Sequence, residues 1–325
     1  MSKYFNMPFL EHSTYPTPGL INRNAHLSTI IPAKFKKYPI PNYTREKITT
    51  DDGDFLNLDW RFQENKNKLV ILFHGLEGDS KRTYLNSCSD YFYARGFNVL
   101  AWNHRTCGGE MNLTCRLYHH GSIDDVHRVV EKAIAEHYEQ IYLIGYSMGG
   151  ALVLNYLGNY SIDEKIKCGV VFSAPLSLKS CADTLKLFPN TVYFKNFKRT
   201  LVPKFKAKAL QFPGVLNEEM IDQIKTFDEV DEYFTAAMHG YSSKEDYYHH
   251  ASPTTVLDQV KTPCLIVNAA NDPFLGKDCY PVERFKKHEF CTFEMPKFGG
   301  HCGFPLKNTR HSWAEIRAWE FIEKY

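Results

Sequence analysis

The sequence predicts an α/β protein built on a mostly parallel, doubly wound sheet. Two features carry this. Short runs that are apolar on both faces alternate with helical stretches, the pattern of strands buried between two helix layers. That rhythm then breaks for roughly 75 residues between Leu176 and Pro253, which is too long for a structureless loop in a compact domain.

In chain order, residues 1–41 are rich in Pro, Asn, Thr and aromatics, have no clear periodicity, and read as a strap over the body. Tyr43–Thr50 and Phe55–Phe62 flank the turn Asp51-Asp52-Gly53 and predict a hairpin. The apolar runs follow: Leu69–Phe73, Asn98–Trp102, Ile141–Ile144, Val170–Phe172, Cys264–Val267 and the strand-like Cys291–Met295. Ser122–His137 and Gly149–Leu157 have helical composition between them. The 75-residue break, with helix-like pieces such as Asn217–Phe227, reads as a helical cap inserted between two strands. The expected division is a strap (1–41), a core (42–175 and 254–325) and a cap insertion (176–253), forming one catalytic domain.

Composition narrows the function. Lys plus Arg number 39 against 37 Asp plus Glu, a formal net charge of +2, without the basic excess of a nucleic-acid binder. Lys34, Lys36 and Lys37 read as a solvated loop that nothing extends. The nine cysteines are odd in number and scattered, with no CxxC, which suggests a reducing compartment. The start, MSKYFNMPFLEHSTYP, lacks a signal-peptide apolar region, and no run approaches the roughly 20 apolar residues of a membrane span. A soluble, cytoplasmic protein is expected, with peripheral membrane contact left open and oligomeric state unread. No HExxH occurs, and the adjacent pairs His119-His120 and His249-His250 are poorly spaced to share a metal, so no metal or cofactor is expected.

The chemistry is carried by Gly145-Tyr146-Ser147-Met148-Gly149, which follows one apolar run and opens a helical stretch. This is G-x-S-x-G in the strand, turn, helix setting that presents a nucleophilic serine. Acyl transfer also needs two backbone N–H groups aimed at the developing oxyanion. Met148 supplies one by position. Leu76, in His74-Gly75-Leu76-Glu77-Gly78, supplies the other, with Gly75 letting the backbone turn. His74 reads as a residue that shapes this loop, and Glu77 as a surface carboxylate. Beyond Cys264–Val267 lies Asp272, which sits better than Asp258 or Asp278 to orient a histidine. His301, alone among 14 histidines, occupies a glycine-framed loop after the last strand, and Cys302 beside it reads as a packed thiol. The order Ser147, Asp272, His301 is the order of the α/β-hydrolase fold.

With these motifs placed, the chain resembles the YheT-like branch of the α/β-hydrolases. The resemblance rests on Asn24-Ala25-His26-Leu27-Ser28-Thr29-Ile30, His74-Gly75-Leu76-Glu77-Gly78 and Asn103-His104-Arg105-Thr106-Cys107-Gly108-Gly109-Glu110. It continues through Phe227-Asp228, His239-Gly240-Tyr241, Tyr247-Tyr248, Asn271-Asp272-Pro273-Phe274 and Gly299-Gly300-His301-Cys302-Gly303-Phe304. Ser28 stands where the branch has Gln, and Thr106 where it has Gly. The resemblance implies hydrolysis of a small-molecule carboxylic ester, acyl or short-chain and lipid-like in character. The same residues would serve an acyltransferase, and the fold alone would serve a non-catalytic binding protein.

Overall fold

The computed structural model describes residues 9–65 and 67–325; the first eight residues of the expected strap lie outside them. Nine strands form one sheet in the order β1-β9-β8-β7-β6-β4-β5-β3-β2. They are β1 (Phe9–Leu10), β2 (Thr44–Thr49), β3 (Phe55–Arg61), β4 (Lys68–Phe73), β5 (Asn98–Asn103), β6 (Gln140–Tyr146), β7 (Ile166–Phe172), β8 (Cys264–Val267) and β9 (Cys291–Glu294). Only β3 runs antiparallel to its neighbours; all other pairings are parallel. Every apolar run named from the sequence is a strand, and the hairpin pairs Thr44 with Trp60 and Thr49 with Phe55. The two-residue β1, an added edge on β9, is too short to leave a periodic signal.

Helices cover both faces. On one side α3 (Ile123–Ala135) and α4 (Met148–Asn159) bury Val126, Val129, Leu152 and Val153 against the sheet. On the other, α2 (Thr83–Tyr93) and the C-terminal helix Trp313–Ile322 bury Leu85, Phe92, Ala318 and Phe321. Two apolar layers with a sheet between them are why the central strands read as continuous rather than alternating hydrophobic runs.

Between β7 and β8 the chain is helical: α5 (Leu178–Leu185), α6 (Thr191–Gln211), α7 (Phe227–Val230), a π-helical turn (Asp231–Ala236), α8 (Ala237–His239) and α9 (Lys244–Ala251). The helix-like stretch Asn217–Phe227 departs from expectation. Asn217 caps only one 3-10 turn, Glu218–Met220, through the Met220 N–H. The N-terminal stretch departs too, because it contains α1 (Ala25–Phe35), whose first N–H groups from His26 and Leu27 are accepted by the Asn24 side chain. Lys34 therefore sits in the last turn of a helix rather than in a loop.

The Asn103-His104-Arg105-Thr106 segment anchors the hairpin turn. Buried Arg105 pairs with Asp125 at 2.7 Å, Asp52 at 2.7 Å and Asp54 at 3.0 Å, so the guanidinium is shared between the turn and the start of α3. Thr106 lies at φ 65°, a left-handed conformation that a β-branched residue enters only at a cost. Its Oγ1 is buried without a hydrogen-bond partner. The glycine expected at this position is thus the residue the backbone favours. Thr106→Gly should raise unfolding free energy by about 1 kcal/mol, read from the denaturant midpoint; an unchanged or lower midpoint would contradict this assignment of strain.

Candidate active site

Ser147 ends β6 and is the N-cap of α4, at φ 54° and ψ −121°. Its own N–H is held by the Phe172 carbonyl at 2.9 Å. Such a turn exists only where strand and helix nearly touch. A Cβ on Gly145 would lie 2.5 Å from the Gly149 carbonyl oxygen, and one on Gly149 would overlap the Phe73 carbonyl. Both obstacles are backbone, so neither can give way.

His301 and Asp272 converge on this serine. His301 Nε2 lies 2.8 Å from Ser147 Oγ across a separation of 154 residues. His301 Nδ1 lies 2.9 and 3.0 Å from the two Asp272 carboxylate oxygens. The Asp272 side chain is fully buried, and its Oδ1 also accepts from the Phe274 N–H at 2.9 Å. Burial opposes charge on the imidazole, but the adjacent carboxylate outweighs it and raises the His301 pKa above its ordinary value. Asp258 pairs with Arg284 instead, and Asp278 donates its N–H to Ser180 Oγ.

The expected oxyanion donors sit beside the serine. Met148 is the first residue of α4, where helix geometry leaves the N–H without an intrahelical acceptor. Gly75 packs directly on the nucleophile, since a Cβ there would meet Ser147 Cβ at 3.1 Å. Gly75 is needed for this close approach rather than for a turn; the left-handed torsion of the loop falls on Glu77, at φ 54°. The loop is fixed on both sides of Leu76. The Gly75 N–H donates to Tyr84 Oη at 3.0 Å and the Glu77 N–H to Tyr118 Oη at 2.9 Å.

His74 does shape this loop. Its Nε2 accepts from the His104 N–H at 3.1 Å, which assigns the Nδ1 proton, given to the Gly75 carbonyl at 2.7 Å. Burial lowers both imidazoles, His104 to about 3, so each is neutral. Glu77 is not a surface carboxylate. It is buried, accepts from Tyr118 Oη, and pairs with Lys204 of α6 at 2.6 Å, tying the loop to the β7–β8 insertion. An isolated Glu in a sequence gives no sign of a partner 127 residues away.

Other supports come from segments with no catalytic signature. The Thr29 hydroxyl of α1 accepts the His301 N–H at 2.9 Å and donates to the Ala25 carbonyl at 2.7 Å. A Cβ on Gly300 or Gly303 would collide with Ser28, so the Gly-Gly-His-Cys-Gly loop is glycine-rich because α1 lies on it. A small Ser28 suits that contact. Phe274 stacks on the His301 ring at 3.9 Å and 12°. The Asn268 amide bridges two loops, accepting from the Ala174 N–H and donating to the Ala174 and Cys279 carbonyls. The Cys302 N–H donates to Ser173 Oγ at 2.9 Å.

Two cavities meet at Ser147, His301, Leu76, Phe197 and Phe274. The inner one, about 120 Å³, is largely apolar and runs beneath the insertion past Leu178, Leu201, Phe205, Val230 and Met238. The outer one, about 440 Å³, lies between α1, the Leu76 loop and α6. Among the described residues, no group of three or more His, Cys, Asp or Glu is arranged to hold a metal ion. Among those same residues, no helix is long and apolar enough to cross a membrane.

Comparison with known proteins agrees with this architecture. Residues 64–278 match the Hydrolase_4 family, described as serine aminopeptidase, S33. The YheT protein of Escherichia coli (strain K12), named as an esterase, is 28% identical over 311 residues, covering 93% of this chain and 91% of its own. Phospholipase ABHD3 of Mus musculus is 28% identical over 313 residues, 91% of this chain and 74% of that one. Among solved structures, the Pyrococcus furiosus esterase Pf2001 superposes with a TM-score of 0.56 at 18% identity, covering 87% of this chain and 90% of that one.

Thr29→Val should cost about 1–3 kcal/mol of stability, because the His301 N–H loses its acceptor in a buried site. Thr29→Ser should retain most of it. A valine variant with the wild-type unfolding midpoint would contradict this role for α1.

Proposed function

The chain belongs to the Hydrolase_4 family of the α/β-hydrolases, and from that premise we propose that it is a serine hydrolase of carboxylic esters. The observation that carries the proposal is the continuous contact from Asp272 through His301 to Ser147. His301 acts as general base, Asp272 holds its tautomer and stabilises the imidazolium, and the Leu76 and Met148 amides receive the oxyanion.

The reaction follows from these roles. Ser147 Oγ attacks the ester carbonyl while its proton passes to His301 Nε2. The tetrahedral intermediate collapses, the C–O bond to the alcohol breaks, and His301 protonates the departing alkoxide. Water then gives a proton to His301 and its hydroxide equivalent to the acyl carbon. Ser147 Oγ leaves, recovering the proton, and the carboxylic acid is released. The insertion serves as a cap. Its apolar inner cavity suits an acyl chain, and the more polar outer cleft suits the alcohol. The names of the YheT and ABHD3 relatives are consistent with an ester substrate carrying an acyl chain. A non-catalytic role would leave the strained serine and its buried carboxylate partner without a purpose.

Ser147→Ala should lower turnover of a p-nitrophenyl ester about ten-thousandfold or more while leaving the circular dichroism unchanged; undiminished turnover would refute the assignment. The pH profile carries an independent test. His301 works as a base only when neutral, and Asp272 raises its pKa. The acidic limb of kcat/KM should therefore lie above the 6.5 of an ordinary imidazole. In Asp272→Asn the residual activity should show that limb moved down. A limb that stays in place would contradict the pairing.

A further inference from the structure

Two stretches of the chain have a charge pattern unlike the rest. Between Glu11 and Glu46, and again between Asp183 and Glu218, there is no Asp or Glu. The first stretch carries five Lys and Arg residues and the second carries seven. Because the whole chain holds 39 basic and 37 acidic residues, everything outside the two stretches is net acidic.

Folding brings these stretches together around the outer cleft. Ile30, Ala33 and Lys34 of α1 line one wall, and Val192, Asn196 and Thr200 of α6 line another. His26 Nδ1 and Tyr193 Oη join the two helices at 2.8 Å. Several cations are spent internally: Arg45 on Asp59, Lys186 on Asp183 and Asp228, Lys204 on Glu77, and Lys206 on Asp222. Buried Lys208 donates to backbone carbonyls. Arg23, Lys34, Lys37, Lys195 and Arg199 pair with no carboxylate among the described residues. The basic cluster at the end of α1, which looked isolated in sequence, is therefore extended across the cleft by α6.

The same stretches also carry the exposed apolar surface. Of thirteen large exposed hydrophobic residues among those described, ten fall within them. Phe188 is 92% exposed, Leu20 79% and Leu187 63%. Within these stretches protruding apolar side chains and unpaired cations occur without an intervening Asp or Glu. The carboxylates that other segments bring to the cleft, Glu77 and Glu315, are buried and engaged by Lys204 and by the Ser312 N–H. Such a surface is one that water solvates poorly and that phosphate-bearing interfaces attract. A second copy docked through the same face would bring cation against cation.

We propose that this rim docks on an anionic lipid surface, seating the mouth of the outer cleft on the bilayer. Leu20, Leu187 and Phe188 enter the interfacial layer, and Arg23, Lys34, Lys37, Lys195 and Arg199 meet lipid phosphates. The ester-hydrolase reading explains why the mouth would face lipid, but docking is measurable without turnover.

The test uses the full chain carrying Ser147→Ala, sedimented with vesicles of phosphatidylcholine alone or mixed with phosphatidylglycerol. Binding should be at least about tenfold stronger to the mixed vesicles. It should disappear near 1 M salt, where the Debye length falls to about 3 Å. Lys37→Glu with Lys195→Glu, and separately Leu187→Ser with Phe188→Ser, should each weaken it about tenfold or more. Made with Ser147 intact, both double variants should hydrolyse a water-soluble short-chain p-nitrophenyl ester as the parent does, which shows them folded. Equal binding to both vesicle types, binding to neither, or unimpaired binding by the folded double variants would overturn the proposal. So would a concentration-dependent dimer abolished by Leu187→Ser with Phe188→Ser. Lost esterase activity in Ser147→Ala alongside absent vesicle binding would reject docking and leave the catalytic reading standing.

Discussion

The structure depends on one steric constraint: Ser147 must be held in a left-handed turn while the His301 loop comes within hydrogen-bonding distance of it and the Gly75 loop packs against it. A strained torsion persists only when the surroundings over-determine it. Here the surroundings are backbone. The carbonyl of Phe172 holds the serine N–H, and β4, β6 and α4 crowd so closely at Gly145 and Gly149 that a single methyl group would collide with main-chain atoms. The half-buried serine is thereby fixed at the C-terminal end of the central strand β6.

The remaining loops are positioned by the same logic of close approach followed by local tethering. Gly75 brings the Leu76 loop onto the serine, and Tyr84, Tyr118, His74 and the Glu77–Lys204 pair fix it there. The His301 loop rests on α1 through Thr29 and Ser28, and the Phe274 ring covers the imidazole. The two pieces of chain that do this tethering, α1 and α6, are also the walls of the outer cleft. Positioning of the site and the character of its entrance are thus properties of the same helices.

How much of this could be read from sequence followed the range of the interactions involved. Strands buried on both faces leave continuous apolar runs, so β4 through β9 were visible. The expectation that Ser147, Asp272 and His301 converge rests on each following a strand and on two lying in glycine-framed motifs, and the three side chains are in contact. Pieces whose order comes from distant partners were not legible. The helix α1 has an ordinary cap at Asn24 but contains Pro32 and no clear apolar stripe, so the stretch reads as a strap. Glu77 reads as a surface acid because its cation lies on α6. Thr29 lies in the Asn24–Ile30 stretch of the family resemblance, but nothing local shows its task, which is one hydrogen bond to a residue 272 positions later. Thr106 shows the reverse case: the departure from glycine was visible, while the strained torsion that gives it meaning required the backbone.

The most direct test of the central claim is covalent capture of the nucleophile. After exposure to a fluorophosphonate probe, peptide mapping by mass spectrometry should find one probe adduct on the peptide containing Ser147, formed far more slowly in His301→Ala. An adduct on another residue, no adduct, or labelling at an unchanged rate without His301 would contradict the account.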